Sequence, residues 1–110
     1  MKLAIIGSRS LSNLDLSKYV SEEVTELVSG GAKGVDACVA TYATEHGIPL
    51  TVFLPRYQQY GRAAPIVRNK AIVEYADRII AFWNGTSKGT LSVIAYSKKV
   101  KKPCEVILCP

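Results

Sequence analysis

The fold of this chain is decided by residues 24–47, which read VTELVSGGAKGVDACVATYATEHG. The stretch begins with a short apolar, β-branched run at residues 24–28, which predicts a buried strand. Three glycines follow at residues 30–34 and indicate a tight turn. Apolar residues then recur at helical spacing over residues 35–46, and Gly47 is typical of a helix end. The stretch therefore predicts one strand, a glycine-rich turn and one helix.

The same order of elements recurs along the rest of the chain. Apolar runs predict five strands, at Lys2–Ile6, Val24–Val28, Leu50–Leu54, Ile79–Trp83 and Glu105–Leu108. Helices are predicted at Leu14–Val20, Val35–His46 and Pro65–Ala76, and a last one is marked by Leu91, Ile94, Ala95 and Lys98. Polar loops are predicted at Pro55–Arg62 and Asn84–Gly89.

Strands that alternate with helices in this way predict an α/β fold. A mainly parallel sheet of five strands would lie between two helical layers. Near-continuous apolar strands such as Ile79–Trp83 fit a sheet that is buried on both faces. Because crossovers between parallel strands are right-handed, we prefer the strand order 3-2-1-4-5. We expect residues 1–110 to form a single three-layer domain.

The composition is that of an ordinary globular protein, with 48% hydrophobic and 21% charged residues. No apolar run approaches the length of a membrane span, and the N-terminal run turns into Gly7 instead of a cleavage site. We therefore expect a cytoplasmic protein without membrane contact. The three cysteines, Cys38, Cys104 and Cys109, lack the spacing of a disulfide framework or a metal site, so neither is expected.

The net charge of +5 is spread unevenly along the chain. One lysine cluster occupies residues 98–102, and most other basic residues stand close to glycine-rich turns. Such a field attracts anions of any kind, nucleotides and nucleic acid included. The lysine cluster is interpreted as a solvated helix end, and weak contact with nucleic acid is the alternative.

Four polar, glycine-containing segments are predicted to meet at one edge of the sheet, because every helix follows the carboxyl end of a strand. Helix N-termini offer unpaired N–H groups, and glycines let a backbone approach phosphate oxygens. Hydroxyl and guanidinium groups would add further donors. The segments are Gly7-Ser8-Arg9-Ser10, Gly30 to Asp36, Pro65 to Asn69, and Gly85 to Thr90.

Each of these segments also has a purely structural interpretation. Gly30 with Gly31 suits a tight turn, Asp36 suits a helix cap or dipole partner, and Ser87 or Thr90 suits an N-cap. Asn69 is a poor helix former, so we expect something local to favour it there, such as a hydrogen bond across the site. In the loop before Pro65, Tyr57 and Tyr60 could either stack on a base or pack internally, and both readings stay open.

The order and spacing of these motifs resemble the SLOG superfamily, most closely its small YspA/YpsA-related proteins of unknown function. The resemblance implies a Rossmann-like fold, a pocket for nucleotides or nucleotide-derived molecules, and the homodimers that relatives often form. It implies no cofactor. Carried over by position, the lining residues would be Gly7, Ser8, Arg9, Gly30, Gly31, Gly34, Asp36, Arg68, Asn69, Gly85, Ser87, Gly89 and Thr90.

Two other branches of the superfamily offer competing functions. Lonely guy enzymes release a base from nucleoside monophosphates with a glutamate after their glycine–threonine motif, whereas Thr90 is followed here by Leu91. Asp36 is then the best catalytic candidate, because such chemistry normally uses a carboxylate. The DNA-processing protein A family, which binds single-stranded DNA, shares the stretches around Gly30 and Arg68. We expect ligand binding in a sensor or accessory role, with both activities as alternatives.

Overall fold

Five strands form one sheet in the computed structural model, which describes residues 1–109. All of the pairings are parallel, and the order is β3-β2-β1-β4-β5, so the predicted strand order is confirmed. The strands are β1 (Lys2–Gly7), β2 (Glu26–Ser29), β3 (Leu50–Val52), β4 (Arg78–Trp83) and β5 (Cys104–Leu108).

Three helices of 12 residues and one short helix complete the α/β fold, as the alternating pattern predicts. They are α1 (Val35–His46), α2 (Tyr57–Tyr60), α3 (Ala64–Tyr75) and α4 (Lys88–Lys99), and a 3₁₀ turn at Gly61–Ala63 joins α2 to α3. Pro65 stands in the first turn of α3, and Gly47 ends α1 in the left-handed conformation. Within residues 1–109, no helix combines the length and apolar character needed to cross a membrane.

The sheet is buried on both faces, and β1 shows how. Leu3 and Ile5 pack on one side, against α1 and the irregular segment after β1. Ala4 and Ile6 pack on the other side, against α3 and α4. All four are at most 6% exposed. Successive residues of a strand point to opposite faces, so a strand covered on both sides is apolar throughout.

The helix predicted at Leu14–Val20 is wrong, since residues 10–25 contain turns and bends only. Two short polar side chains oppose a helix there. The Asp15 carboxylate accepts hydrogen bonds from the backbone N–H (3.0 Å) and the hydroxyl (2.6 Å) of Ser17, and Asn13 has a positive φ of 56°. Leu16 is nevertheless fully buried against the α1 side of the sheet.

The loop predicted at Pro55–Arg62 is also incomplete, because it contains α2 and the start of the 3₁₀ turn. A single helical turn is too short to show a hydrophobic period. Other bounds move by a few residues: β3 ends at Val52, and α4 begins at Lys88, inside the predicted turn.

Candidate ligand-binding cleft

A cleft of about 340 Å³ opens at the carboxyl ends of β1 and β4. These two strands are neighbours, and the segments that follow them pack on opposite faces of the sheet. This divergence leaves a crevice, which is where open α/β sheets bind ligands. Its walls come from the loop after β1, the turn before α1, and the first turns of α3 and α4.

Thirteen residues are predicted to line the site, and ten of them lie along this cleft. The exceptions, Gly31, Gly34 and Gly85, do not border it and all have positive φ angles. At Gly34 an added Cβ would lie 2.5 Å from the carbonyl oxygen of Arg9. These glycines therefore shape the turns that carry the walls. The ten are Gly7, Ser8, Arg9, Gly30, Asp36, Arg68, Asn69, Ser87, Gly89 and Thr90.

Arg68 reaches from α3 across to the turn before α1, where it is held by three acceptors. Its Nη1 donates to the carbonyl oxygens of Gly30 (2.7 Å) and Phe53 (3.4 Å), and its Nε donates to Asn69 Oδ1 (2.8 Å). Gly30 makes room for it, because a Cβ there would meet Nη1 at 2.6 Å. Burial lowers the pKa of Arg68 and Asp36 opposes that shift. Arginine is protonated in proteins, so a fixed positive charge faces the cleft.

Asp36 lies in the first turn of α1 and is 7% exposed. Its Oδ2 accepts the backbone N–H of Ala32 at 2.9 Å, which ties the glycine turn to the helix. Its Oδ1 is buried and has no hydrogen-bond partner among residues 1–109. Burial raises the pKa of this carboxyl group, while the Ala32 N–H and the charge of Arg68 counteract it. Asp36 is the only carboxylic acid among the residues that line the cleft.

Asn69 joins α3 to the start of α4. Its Nδ2 donates to the Gly89 carbonyl oxygen at 3.4 Å, and its Oδ1 accepts from Arg68. The bond to Gly89 is a hydrogen bond across the site, of the kind expected for Asn69 from the sequence. Ser87 is the N-cap of α4, since its Oγ accepts the Thr90 N–H at 3.4 Å. Capping thus accounts for the Ser87 hydroxyl.

The N-terminus of α4 offers donors that the protein itself does not use. The backbone N–H groups of Lys88 and Gly89 have no acceptor within residues 1–109. An added Cβ at Gly89 would meet nothing within 4 Å, apart from its own helix turn. Free N–H groups at a helix N-terminus, beside open space, favour an anion.

Asn84 and Ser10 also line the cleft, although neither is among the thirteen predicted lining residues. Ser10 belongs to the first of the four predicted segments, and Asn84 to none of them. The Asn84 backbone N–H donates to Ser8 Oγ (3.2 Å) and its Nδ2 donates to Ser10 Oγ (3.1 Å). Its Oδ1 accepts the N–H groups of Thr86 and Ser87 at 3.0 and 2.8 Å. An asparagine directly after a strand, before Gly-Thr-Ser, is the available sequence signal for such a turn.

The comparison with protein-family models decides the family of this chain. Residues 1–60 match the model of the YspA, cpYpsA-related SLOG family, YAcAr. The chain belongs to this family. The match covers β1, β2, α1, β3 and α2 of this YAcAr protein, and hence its cleft residues Gly7, Ser8, Arg9, Gly30 and Asp36. No curated protein matches the chain.

Proposed function

We propose that the cleft binds a nucleotide or a nucleotide-derived ligand through its phosphate, and that this YAcAr protein acts as a sensor or accessory protein. Membership of a SLOG family agrees with a nucleotide-related role. Arg9 and Arg68 both line the cleft. The pKa of Arg68 is lowered chiefly by burial and, to a smaller extent, by the charge of Arg9. Two guanidinium groups in one cleft suit a multiply charged anion.

The observation that carries the proposal is the start of α4. Lys88 and Gly89 present two unpaired N–H groups, and the space above Gly89 is open. Glycine weakens a helix relative to alanine, and no contact or turn within residues 1–109 requires it at this position. A phosphate group seated there would use both the donors and the space.

A hydrolase is the second candidate, and Asp36 is the observation that favours it. A buried carboxyl group with a raised pKa, beside an arginine and inside a cleft, is suited to proton transfer. Binding remains the better supported function, because the position after the glycine–threonine pair is Leu91.

The test is a calorimetric titration of the protein with nucleoside mono- and diphosphates and with inorganic phosphate. We expect saturable binding of at least one nucleotide, and at least about tenfold weaker binding by Gly89→Val. The two methyl groups of valine would occupy the open space where the phosphate is placed. The fold should be unaffected, because valine forms helices better than glycine does.

Ala95→Val is the matched control, because Ala95 is exposed on the same helix and outside the cleft. Its nucleotide affinity should equal that of the unchanged protein. No binding across the panel, or equal binding by Gly89→Val, would contradict the proposal. Each mixture is also assayed for free base. Its release by the unchanged protein, with loss in Asp36→Asn, would favour the hydrolase instead.

A further inference from the structure

A second pocket, of about 230 Å³, adjoins the cleft. It lies between α3 and the segment that follows β3, and its lining includes Phe53, Leu54, Tyr60 and Arg56. Arg68 lines both this pocket and the cleft, so one side chain forms a wall that the two spaces share.

That shared wall is planar and held in place. Hydrogen bonds from Nη1 and Nε of Arg68 to Gly30, Phe53 and Asn69 fix the guanidinium plane. A guanidinium group whose edge is occupied by acceptors still offers its faces. Those faces stack on aromatic rings.

The opposite side of the pocket is apolar surface that folding leaves uncovered. Leu54 is 63% exposed and Tyr60 is 41% exposed, although both are large and largely apolar. The backbone N–H groups of Gln59 and Tyr60 both donate to Arg56, within the same segment. Clustered exposed apolar groups beside a cavity are typical of binding sites.

The charges around the pocket favour an electron-rich or anionic ligand. Its lining contains two arginines, Arg56 and Arg68, and no carboxylic acid. An electron-rich planar ring attached to a phosphate would satisfy both the aromatic surface and the positive charge. Because the pocket and the cleft share Arg68, the ring of such a molecule would lie in the pocket and its phosphate in the cleft.

We infer that this pocket receives the planar base of the ligand whose phosphate lies at the start of α4, with the base against Tyr60 and Arg68. The inference rests on the proposed function and narrows it. The ligand is a nucleotide with an intact aromatic base, and a sugar phosphate of the same charge binds more weakly.

The experiment compares the tightest binder among AMP, GMP, CMP and UMP with ribose 5-phosphate, by calorimetry. We expect the unchanged protein to prefer the nucleotide by about tenfold or more, as stacking one base on an aromatic side chain would give. Tyr60→Ala should bring the two affinities to within about threefold, with ribose 5-phosphate binding unchanged. Tyr60 is exposed, and its side chain makes no hydrogen bond within residues 1–109, so the fold should persist.

Ile66→Ala is the control, because Ile66 is a large apolar residue in the first turn of α3, is 51% exposed and lines neither pocket. It should keep the preference for the nucleotide. The inference is overturned by equal binding of both ligands to the unchanged protein, by a preference that survives Tyr60→Ala, or by an equal loss in Ile66→Ala. An exposed tyrosine that serves a protein partner would give the second of these results. Failure of every phosphorylated ligand to bind would instead refute the proposed function.

Discussion

Asp36, in the first turn of α1, has two carboxylate oxygens with different surroundings. Its Oδ2 holds the Ala32 N–H, which is a sufficient structural reason for an acid at this position. The buried Oδ1 has no such reason within residues 1–109. Burial makes the ionised form of this carboxyl group less favourable than it is in water, although the Ala32 N–H, the charge of Arg68 and the Gly30 N–H favour that form.

The stability of the protein should therefore carry a pH signature from Asp36. Its folded pKa lies above the ordinary value of 3.8, chiefly because of burial. The folded protein holds this proton more tightly than the unfolded chain does, so its contribution to stability falls as pH rises from about 4 through the folded pKa. Urea denaturation of the unchanged protein and of Asp36→Asn, from pH 4 to pH 8, measures it. The free energy of unfolding of the unchanged protein, less that of the variant, should fall across the range. A constant difference would contradict the prediction.

At the scale of elements, one glycine precedes α1 and another ends it, and the two positions require glycine for different reasons. Gly34 and Gly47 flank α1 and both have positive φ angles, of 70° and 63°. Gly47 is left-handed helical, with ψ of 30°, whereas Gly34 has ψ of −121°, the mirror image of the β region, which is adopted mainly by glycine. A Cβ at Gly34 would meet the Arg9 backbone, whereas a Cβ at Gly47 would meet nothing within 4 Å. Gly34 is therefore required both by its backbone conformation and by the nearby Arg9 backbone, whereas Gly47 is required by its backbone conformation alone.

The two alanine variants should separate these costs. Gly47→Ala should lower the free energy of unfolding by about 1–2 kcal/mol, the cost of left-handed backbone. Gly34→Ala should lower it by at least about 3 kcal/mol, because its backbone conformation suits only glycine and the Arg9 backbone must also move. Chemical denaturation of both variants measures the difference. Equal losses would mean that the loop after β1 yields at little cost.

The same elements show what the sequence could predict. Buried strands and 12-residue helices produce apolar runs and periods long enough to read, so the order of these elements can be predicted from them. Of the thirteen lining residues that the family resemblance implies, ten lie along the cleft. The irregular segment around Asp15 is not predicted, because a local side-chain hydrogen bond there replaces a helix. The place of Asn84 in the cleft is not predicted either, because its hydrogen bonds to Ser8 and Ser10 join residues more than 70 positions apart. Glycines that shape turns and glycines that face the cleft look alike until φ and neighbours are known.

At the scale of the whole molecule, positive charge stands at both edges of the sheet. Lys98 and Lys99 are in the last turn of α4, whereas the cleft borders its first turn. A rise of about 1.5 Å per residue puts about 15 Å between these ends, nearly twice the screening length of about 8 Å at physiological salt. Lys102 is already engaged, because its Nζ donates to the Ala76 carbonyl at 2.5 Å and so caps α3.

Charge reversal at the lysine cluster should therefore leave nucleotide binding alone. The double variant Lys98→Glu with Lys101→Glu should bind within about twofold of the unchanged protein at 0.15 M salt. Lys88→Glu, at the exposed start of α4, is the control and should bind several-fold more weakly. Calorimetry at that salt concentration decides the point. An equal loss of nucleotide affinity in both proteins would mean that the ligand does not bind at the cleft alone. Loss of single-stranded DNA binding in the double variant would favour the nucleic-acid alternative.

The central position of β1 has a consequence for the order of folding. The first strand of the chain pairs with β2 on one side and with β4, more than 70 residues later, on the other. Until β4 has been synthesised, one edge of β1 has no strand to pair with, and the face formed by Ala4 and Ile6 can pack on α3 but not on α4. Distant pairings of this kind form late and slowly, and they leave strand edges open to aggregation in the meantime. The cleft lies on the β1–β4 seam, so it is among the last parts of the molecule to assemble.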